Sequence, residues 1–519
     1  MSLINVSNLT FCYEGSYDNI FENVSFQLDT NWKLGFIGRN GKGKTTFLNL
    51  LLGKYQYQGS ISTSTHFDYF PYSVNSKDMS KLAIDVIEKI SPDYELWKIC
   101  RELDELNLNS ELLYQPYETL SHGERTKIML SLLFSQENCF LLIDEPTNHL
   151  DMATRKLLSR YLSAKTGFIL ISHDRNFLDE CVDHVLVLNR NTITVEKGNF
   201  SSWWENKKRQ DQYEIATNDK LKREIGKLEE AAKRNAIWAE KSENRKIGFD
   251  PVKEHDRSIA TRSYMAAKSK RMQQQRKNIE HRSDSAISQK ENLLKDLETP
   301  VKLKLMPLSF HKDRYVQCEN LSISYETASG DTKKIIDSLN MEIKRGDRIH
   351  LQGKNGCGKS SIIKSILTCD NIQVLNQIPP DTKNEHRITS GSLSVASGLI
   401  ISYISQDTSY LHGKLDPYIE KNHLDSTIFK AVLRQLDLER IQFEKSMDDY
   451  SEGQKKKVLI ATSLTSQAHL YIWDEPLNYI DIFSRMQLEE MLLSFSPTML
   501  FVEHDKSFSE KIATKVVAL

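Results

Sequence analysis

The stretch GRNGKGKTT, Gly38–Thr46, occurs a second time as GKNGCGKSS, Gly353–Ser361. Working outward from this pair, LSHGERTK (Leu120–Lys127) returns as YSEGQKKK (Tyr450–Lys457), FLLIDEPTNHLD (Phe140–Asp151) as LYIWDEPLNYID (Leu470–Asp481), and ILISHD (Ile169–Asp174) as LFVEHD (Leu500–Asp505). The offsets are 315, 330, 330 and 331 residues. A period this long marks two copies of a whole domain and excludes a solenoid. The step of 15 puts extra sequence between the first and second motifs of the second half, and the polar stretch Cys369–Ser397, with Pro379-Pro380, reads as a surface loop.

Each half reads as α/β. Apolar, β-branched runs end in glycine-rich turns that precede helical patterns, as in Lys33–Ile37 before Gly38 and Thr46–Leu52 after it. The halves cover residues 1–204 and 301–519. Between them, over 205–300, Leu221, Ile225, Leu228 and Ala232 keep helical spacing, and Met265, Met272, Ile279, Ala286 and Leu293 fall seven apart. KIGFDPVKEHD (Lys246–Asp256) interrupts the pattern with Gly248 and Pro251. The expected linker is a long antiparallel α-helical hairpin with its tip near Gly248–Asp256. Arms of roughly 40 residues would reach about 60 Å.

Composition excludes several classes. Of 519 residues, 39% are hydrophobic and 27% charged, the balance of a soluble globular chain. The longest apolar runs are strand-length and far short of the roughly 20 residues that cross a bilayer. The opening MSLINVSNLT lacks a basic run before an apolar core, so no secretory signal is expected. Seven scattered cysteines without a CxxC pair read as reduced cytosolic thiols. The expected location is therefore cytoplasmic, with no membrane partner. Net charge is −1, but residues 205–300 hold 23 Lys and Arg against 17 Asp and Glu, a net of +6 that leaves −7 for the rest. Within YMAAKSKRMQQQRKNIEHR (Tyr264–Arg282) the only acid is Glu280.

GxxxxGK[ST] between a strand and a helix is a phosphate cradle. Gly38, Gly41 and Gly43, and Gly353, Gly356 and Gly358, let backbone N–H groups approach phosphate oxygens at a helix N-terminus. Lys44 and Lys359 suit the β- and γ-phosphates, Thr45 and Ser360 suit Mg²⁺, and Asn40, Thr46, Asn355 and Ser361 complete the two loops. Asp144 and Asp474 end apolar strands, where a carboxylate can hold Mg²⁺. Glu145 and Glu475 follow and can polarise an attacking water. His173 and His504, each at the end of a further strand, suit a γ-phosphate contact.

These motifs in this order resemble the ATP-binding-cassette superfamily across both halves. The resemblance implies head-to-tail packing, with each ATP between one half's phosphate loop and the other half's signature. One site would join Lys44, Asp144, Glu145 and His173 to Ser451, Gly453 and Gln454. The other would join Lys359, Asp474, Glu475 and His504 to Ser121, Gly123 and Glu124. Such pairing within one chain implies a monomer. Tyr13 and Tyr325 sit where the family places an adenine-stacking aromatic, and Gln406 fits the glutamine loop that serves Mg²⁺ or water. This sequence departs from the pattern at His122 and Glu452, where the signature usually has glycine, and at Tyr72, which matches Gln406 but lacks a carboxamide. Both catalytic glutamates remain, so both sites are expected to turn over.

Within the superfamily, two cassettes in one chain and a helical linker resemble the ABC-F class, as does NFSSWWENKKRQDQYE (Asn199–Glu214). That class binds the 70S ribosome and sends its linker through the tRNA exit site toward the peptidyl-transferase centre. The resemblance gives the basic linker a purpose. Lys246, Lys268, Lys270, Arg271, Arg276, Lys277 and Arg282 would neutralise phosphates of ribosomal RNA or tRNA, Gln273–Gln275 would add hydrogen bonds, and Phe249 and Tyr264 would stack on bases. Housekeeping members usually carry an extra arm inside the first cassette, but only 48 positions separate Tyr72 from Leu120. The chain is similar to the Vga/Lsa-type resistance members, which protect ribosomes against lincosamides, pleuromutilins and streptogramin A. A general translation factor is the alternative, and a soluble transporter ATPase is a more distant one.

Overall fold

The structure is a computed structural model that describes residues 2–13, 19–148, 150–189, 192–247, 271, 274, 303–326, 332–370, 372–375 and 387–519. The chain divides into two units. One comprises Met1–Trp203 with Val301–Leu519, and the other is Trp204–Pro300.

The first unit holds two cassettes of one plan. In the first, a six-stranded sheet runs in the order His66–Phe70, Cys139–Asp144, Phe168–Ile171, Lys33–Ile37, His184–Leu188, Ile193–Lys197. All neighbours are parallel except the last pair. Central strands such as CFLLID and FILI are nearly continuous apolar runs because both faces of a parallel sheet are covered. An antiparallel sheet of Phe21–Asp29, Leu3–Phe11 and Gln58–Ser62 closes one side. Phe21, Phe26 and Phe36 pack around Phe47 on the Lys44–Leu51 helix, so the core fixes the helix that follows the phosphate loop.

The second cassette repeats this with an all-parallel sheet in the order Ile372–Val374, Leu399–Ile404, Leu470–Asp474, Met499–Val502, Arg348–Gln352, Lys515–Ala518. Its antiparallel sheet is Thr332–Lys344, Arg314–Glu326 and Arg387–Val395. This corrects the expectation of a surface loop over Cys369–Ser397. Ile372–Val374 pairs with Leu399–Ile404, and Arg387–Val395 pairs with Arg314–Glu326. The strand RITSGSLSV is rich in Ser and Thr because its residues are mostly exposed, and an edge strand with one wet face loses the apolar signature of a central one.

Each cassette also carries the same helical insert before its signature helix. In the first, helices Ala83–Ile90 and Leu96–Glu105 are followed by 3₁₀ turns Ser110–Tyr114 and Tyr117–Thr119. In the second, Leu415–Lys421 and Ser426–Gln435 are followed by Arg440–Glu444 and Met447–Asp449. Between Phe70 and His122 the first cassette adds to these only the short 3₁₀ turn Ser76–Asp78.

The helix Phe200–Ile247 has 48 residues, about 70 Å at 1.5 Å per residue. Its root lies in the first unit, where Phe200 and Trp203 are buried and the Trp203 ring centroid stands 6.3 Å from that of Phe483. In the second unit, Asn218 and Ile225 are buried and Glu214, Leu221 and Leu228 half-buried, at steps of three and four that define one shielded face. The expected tip and returning arm lie outside the described residues, except for Arg271 and Gln274, which are helical. Among the described residues, no helix is long and apolar enough to cross a membrane.

Trp473 has no exposed surface, and its Nε1 donates to Ser463 Oγ at 3.0 Å. Trp473→Ala should cost about 3–5 kcal/mol in denaturant unfolding of the full chain. Trp97→Ala, at a residue 60% exposed, should stay within about 0.5 kcal/mol.

Candidate active site: two clusters at the carboxyl ends of the parallel strands

The phosphate loops follow the central strands Lys33–Ile37 and Arg348–Gln352. Gly41 and Gly43 have φ of 78° and 105°, and Gly356 and Gly358 have 78° and 101°. Here glycine is required twice over. A Cβ on Gly43 would lie 2.5 Å from Ile20 Cγ2, and one on Gly358 would lie 2.7 Å from Ile335 Cγ2. Lys44 Nζ donates to the carbonyls of Gly38 (2.6 Å) and Arg39 (3.1 Å) and to Asn40 Oδ1 (3.3 Å). Lys359 Nζ donates to Gly353 O (2.9 Å) and Lys354 O (2.8 Å). Each loop thus curls around its lysine, with the N-terminus of the following helix facing the same space.

The carboxylates arrive on the adjoining strands. Thr45 Oγ1 donates to Asp144 Oδ2 at 2.9 Å, and the Ser360 hydroxyl pairs with Asp474 in the same way. Asp474 is raised to about 6 by burial and by the charge of Glu475, and its Oδ1 is buried without a hydrogen-bond partner. Hydroxyl, paired carboxylate and an unsatisfied oxygen atom make a donor set that fits Mg²⁺. Glu145 and Glu475 adopt φ of 50° and 48°, a left-handed backbone that a non-glycine residue adopts at a cost. His173 Nε2 lies 3.2 Å from Glu145 Oε1, and His504 Nε2 lies 3.4 Å from Glu475 Oε1.

The two sites differ at the glutamate. Gln406 and Asn478 donate to Glu475 Oε2 at 2.8 and 2.7 Å. Burial pushes Glu475 up, but His504, Asn478 and the charge of Lys456 hold it below the usual carboxylate range. In the first cassette, strand register places Tyr72 opposite the position of Gln406, because Phe70 pairs with Ile143 as Ile404 pairs with Trp473. Tyr72 instead bonds Asp68, while Tyr69 donates to Asp144 Oδ2 at 3.2 Å. Both carboxylate oxygens of Glu145 are buried, and among the described residues only His173 approaches them, in place of the two amide donors that Glu475 has. Burial and the nearby Asp144 push Glu145 up to about 8, against the pull of Arg485 and Lys44. Burial, followed by the charges of Lys44, Arg485 and Lys457, keeps His173 neutral.

The cassettes meet across these sites. Asn40 Nδ2 donates to Tyr479 O at 2.9 Å, Lys42 Nζ lies 3.4 Å from Glu439, and Arg39 pairs with Asp437. Away from the loops, Arg175 pairs with Glu489, both buried. Ser121 and Ser451 cap their signature helices in reciprocal boxes with Glu124 and Gln454. Gly453 lies against Tyr479, where a Cβ would approach the carbonyl to 2.8 Å, and Gly123 faces Leu150. The signatures therefore border the D-loops of their own cassettes, the segments after each catalytic glutamate that run to Asp151 and Asp481, and the D-loops reach across. Asp481 acts on the charge of Lys44, and Lys359 and His504 act on Asp151. Tyr13 is 41% exposed and shares a 2.8 Å hydrogen bond with Thr46. Tyr325 lies on the strand Arg314–Glu326, but its side chain falls outside the described residues, as do Phe249, Tyr264, Lys268, Lys270, Arg276, Lys277 and Arg282. Arg271 is exposed, and Lys246 lies at the end of the Phe200–Ile247 helix.

Sequence reasoning missed several contributors. Lys456 is buried and donates to Ser405 O (2.7 Å) and Glu475 O (3.2 Å), tying the glutamine loop to the catalytic strand. Arg155 joins Leu150 O to Asp174, and Arg485 joins Ile480 O to Asp505. The two arginines stand 330 residues apart, so the internal repeat itself carried that signal. Lys456 matches Thr126 and had none.

Two phosphate-loop sheets of this topology, each with carboxylates and a histidine at neighbouring strand ends, define a tandem nucleotide-hydrolysing ATPase. The family model described as "ABC transporter" matches residues 21–148 and 336–478, and the chain belongs to that family. It is 26% identical to the ribosome protection protein VmlR of Bacillus subtilis over 98% of this chain and 85% of that protein. It is 24% identical to the energy-dependent translational throttle protein EttA of Haemophilus influenzae, over 96% and 89%. Along nearly its whole length the chain thus resembles ABC-F proteins. A solved structure of the archaeal ribosome recycling factor aABCE1, in complex with ribosomal stalk protein aP1, superimposes with a TM-score of 0.58, covering 98% of this chain and 87% of that one. At 16% identity, that likeness is one of fold.

The unequal glutamates make a testable difference. A carboxyl raised from 4.5 to about 8 imposes no penalty on folding below pH 4.5, a growing one up to pH 8, and a constant one above. Glu145→Gln should therefore stabilise nucleotide-free, EDTA-treated protein at pH 8.5 by on the order of 1–3 kcal/mol, read as a rise in Tm, with little effect at pH 5. Glu475→Gln should give no such gain. Equal shifts in the two variants would show that the sites are electrostatically alike.

Proposed function

We propose that the chain is a ribosome-binding ABC-F ATPase that protects the peptidyl-transferase centre against lincosamide, pleuromutilin and streptogramin A antibiotics. Its linker would enter through the tRNA exit site and dislodge the drug. The observation that carries this reading is the full-length similarity to a ribosome protection protein, joined to a first cassette without an added arm. The similarity to EttA over 96% of the chain favours a second reading, a general factor acting on stalled or initiating ribosomes.

The chemistry belongs to the chain's own residues. Lys44 and Lys359, now held by loop carbonyls, would turn to the β- and γ-phosphates. Thr45 with Asp144, and Ser360 with Asp474, would hold Mg²⁺, and Gln406 would join the second set. Bound Mg²⁺ supplies positive charge against the phosphates. Glu145 and Glu475 would accept the proton of the attacking water, with His173 and His504 beside them near the γ-phosphate. Asn40, Tyr479 and the D-loop aspartates make each pocket sensitive to the opposite cassette. Nucleotide must favour the closed pair over the open one for closure to do work.

The root of the linker helix supplies the transmission. Ser201 N donates to Asp179 Oδ1 of the first cassette at 2.8 Å, and Trp203 packs on Phe483 of the second, two residues after Asp481. A helix gripped by both cassettes at its base will respond when they move. Closure would thus set the linker for insertion, and hydrolysis would release it.

The Glu145→Gln plus Glu475→Gln variant should pellet with 70S ribosomes only when ATP is present, whereas the wild type should dissociate on turnover. Equal pelleting with and without ATP would overturn the cycle. Expression of the wild type in a sensitive bacterium should raise resistance to the three drug classes, and substitutions across Lys246–Asp256 should remove that gain. Unchanged susceptibility together with altered translation would assign the chain to the second reading.

A further inference from the structure

A groove of about 560 Å³ opens on the helical insert of the second cassette, lined by four cations, Lys414, Lys430, Arg434 and Arg440, with two carboxylates, Asp416 and Glu444, and by Phe443. Lys430 is engaged with Asp416 at 2.6 Å, and Arg434 donates its Nε to Lys430 O at 3.3 Å. The Lys414 ammonium and the Arg440 guanidinium have no side-chain partner among the described residues, and both are exposed. Ile441, 70% exposed, follows Arg440, and Phe443 is half-buried in the groove wall. Several cations around a concave surface with an aromatic wall match a phosphodiester chain with its bases. The cations would meet the phosphates, and the exposed part of Phe443 with Ile441 would meet the bases.

One wall of this groove is wired to the first ATP site. Asp437 and Glu439 contact Arg39 and Lys42 of the first phosphate loop. Arg440–Glu444 follows as a single 3₁₀ element. Gln442 in that element accepts a 2.6 Å hydrogen bond from Gln454 of the signature, and its carbonyl accepts one from Tyr450 at 2.6 Å. The segment 437–444 therefore has the groove on one side, and the first phosphate loop and the second signature on the other.

We propose that this groove binds the sugar–phosphate backbone of RNA, and that its occupation favours closure of the first ATP site through residues 437–444. The proposal rests on the ribosome reading given above and deepens it, because it names a second RNA contact, separate from the linker, and a route from that contact to nucleotide. Electrostatic attraction of this kind is sequence-independent and weakens linearly in the logarithm of salt concentration.

The test compares the full-length wild type with the Lys414→Ala, Arg434→Ala, Arg440→Ala variant, whose three positions lie outside both ATP sites. A single Arg440→Gln variant covers any failure of the triple variant to fold. Ribosome affinity is measured across a salt series, and ATP hydrolysis with and without ribosomes. The triple variant should keep its basal hydrolysis, bind ribosomes about tenfold or more weakly, and lose roughly two to three from its salt slope. Stimulation by ribosomes should fall with it. Unchanged affinity, slope and stimulation in the triple variant, where the wild type does bind ribosomes, would overturn the groove alone. If the wild type binds no ribosomes, the ribosome reading fails, and the groove is judged on a fluorescent single-stranded oligouridine: loss of binding in the variant supports it, and equal binding overturns it. Displacement of bound oligouridine by polyglutamate, with tighter binding of the polypeptide, would assign the groove to an acidic protein and also overturn it.

Discussion

A parallel sheet covered on both faces leaves polar chemistry only one place to go, the ends of its strands. Asp144 and Asp474 close their strands, and His173 and His504 stand two residues past the ends of theirs, beside strands that deliver the phosphate loops. Asp144 and Asp474 are each carried by an apolar run that would not tolerate a charge one position earlier. The order of the strands, with the phosphate-loop strand beside the histidine strand and the histidine strand beside the aspartate strand, brings these groups within reach of one another. The left-handed backbone at Glu145 and Glu475 turns each glutamate side chain back toward that cluster.

Duplication gives two such ends, and the seam between them makes them one machine. The contacts across it are largely charged: Arg39 with Asp437, Lys42 with Glu439, and Arg175 with Glu489. The repeat has also drifted. Lys506 stands where Arg175 does and Ser159 where Glu489 does, so the buried Arg175–Glu489 pair has no counterpart on the other side. The same drift separates the catalytic glutamates. Glu475 sits among Gln406, Asn478 and Lys456, whereas Glu145 faces Asp144 with Tyr72 turned away to Asp68. A pair of carboxylates with environments this different does not titrate alike.

The helix that leaves the cassettes begins where both can hold it, at Asp179 and Phe483. The groove around Lys414, Arg434 and Arg440 lies on the same cassette as Phe483, and its wall continues into the contacts at Arg39 and Lys42. Under the proposed function, two routes would run from nucleotide to RNA, one through the linker helix and one through a short 3₁₀ segment.

The sequence by itself determined the two cassettes, their motifs and the α/β class, because glycine-rich turns, buried strands and a 315–331-residue repeat are local or repetitive signals. It also marked Tyr72 as the odd partner of Gln406, and strand register places it there. It misjudged Arg387–Val395, since a strand with one solvated face carries little apolar pattern. Only the tertiary structure decided where Tyr72 turns, that Lys456 is buried beneath Glu475, and that residues 437–444 join a basic groove to the opposite phosphate loop. Those facts depend on which side chains meet across elements hundreds of residues apart, and on how deeply each charge is taken from water, neither of which has a signature along the chain.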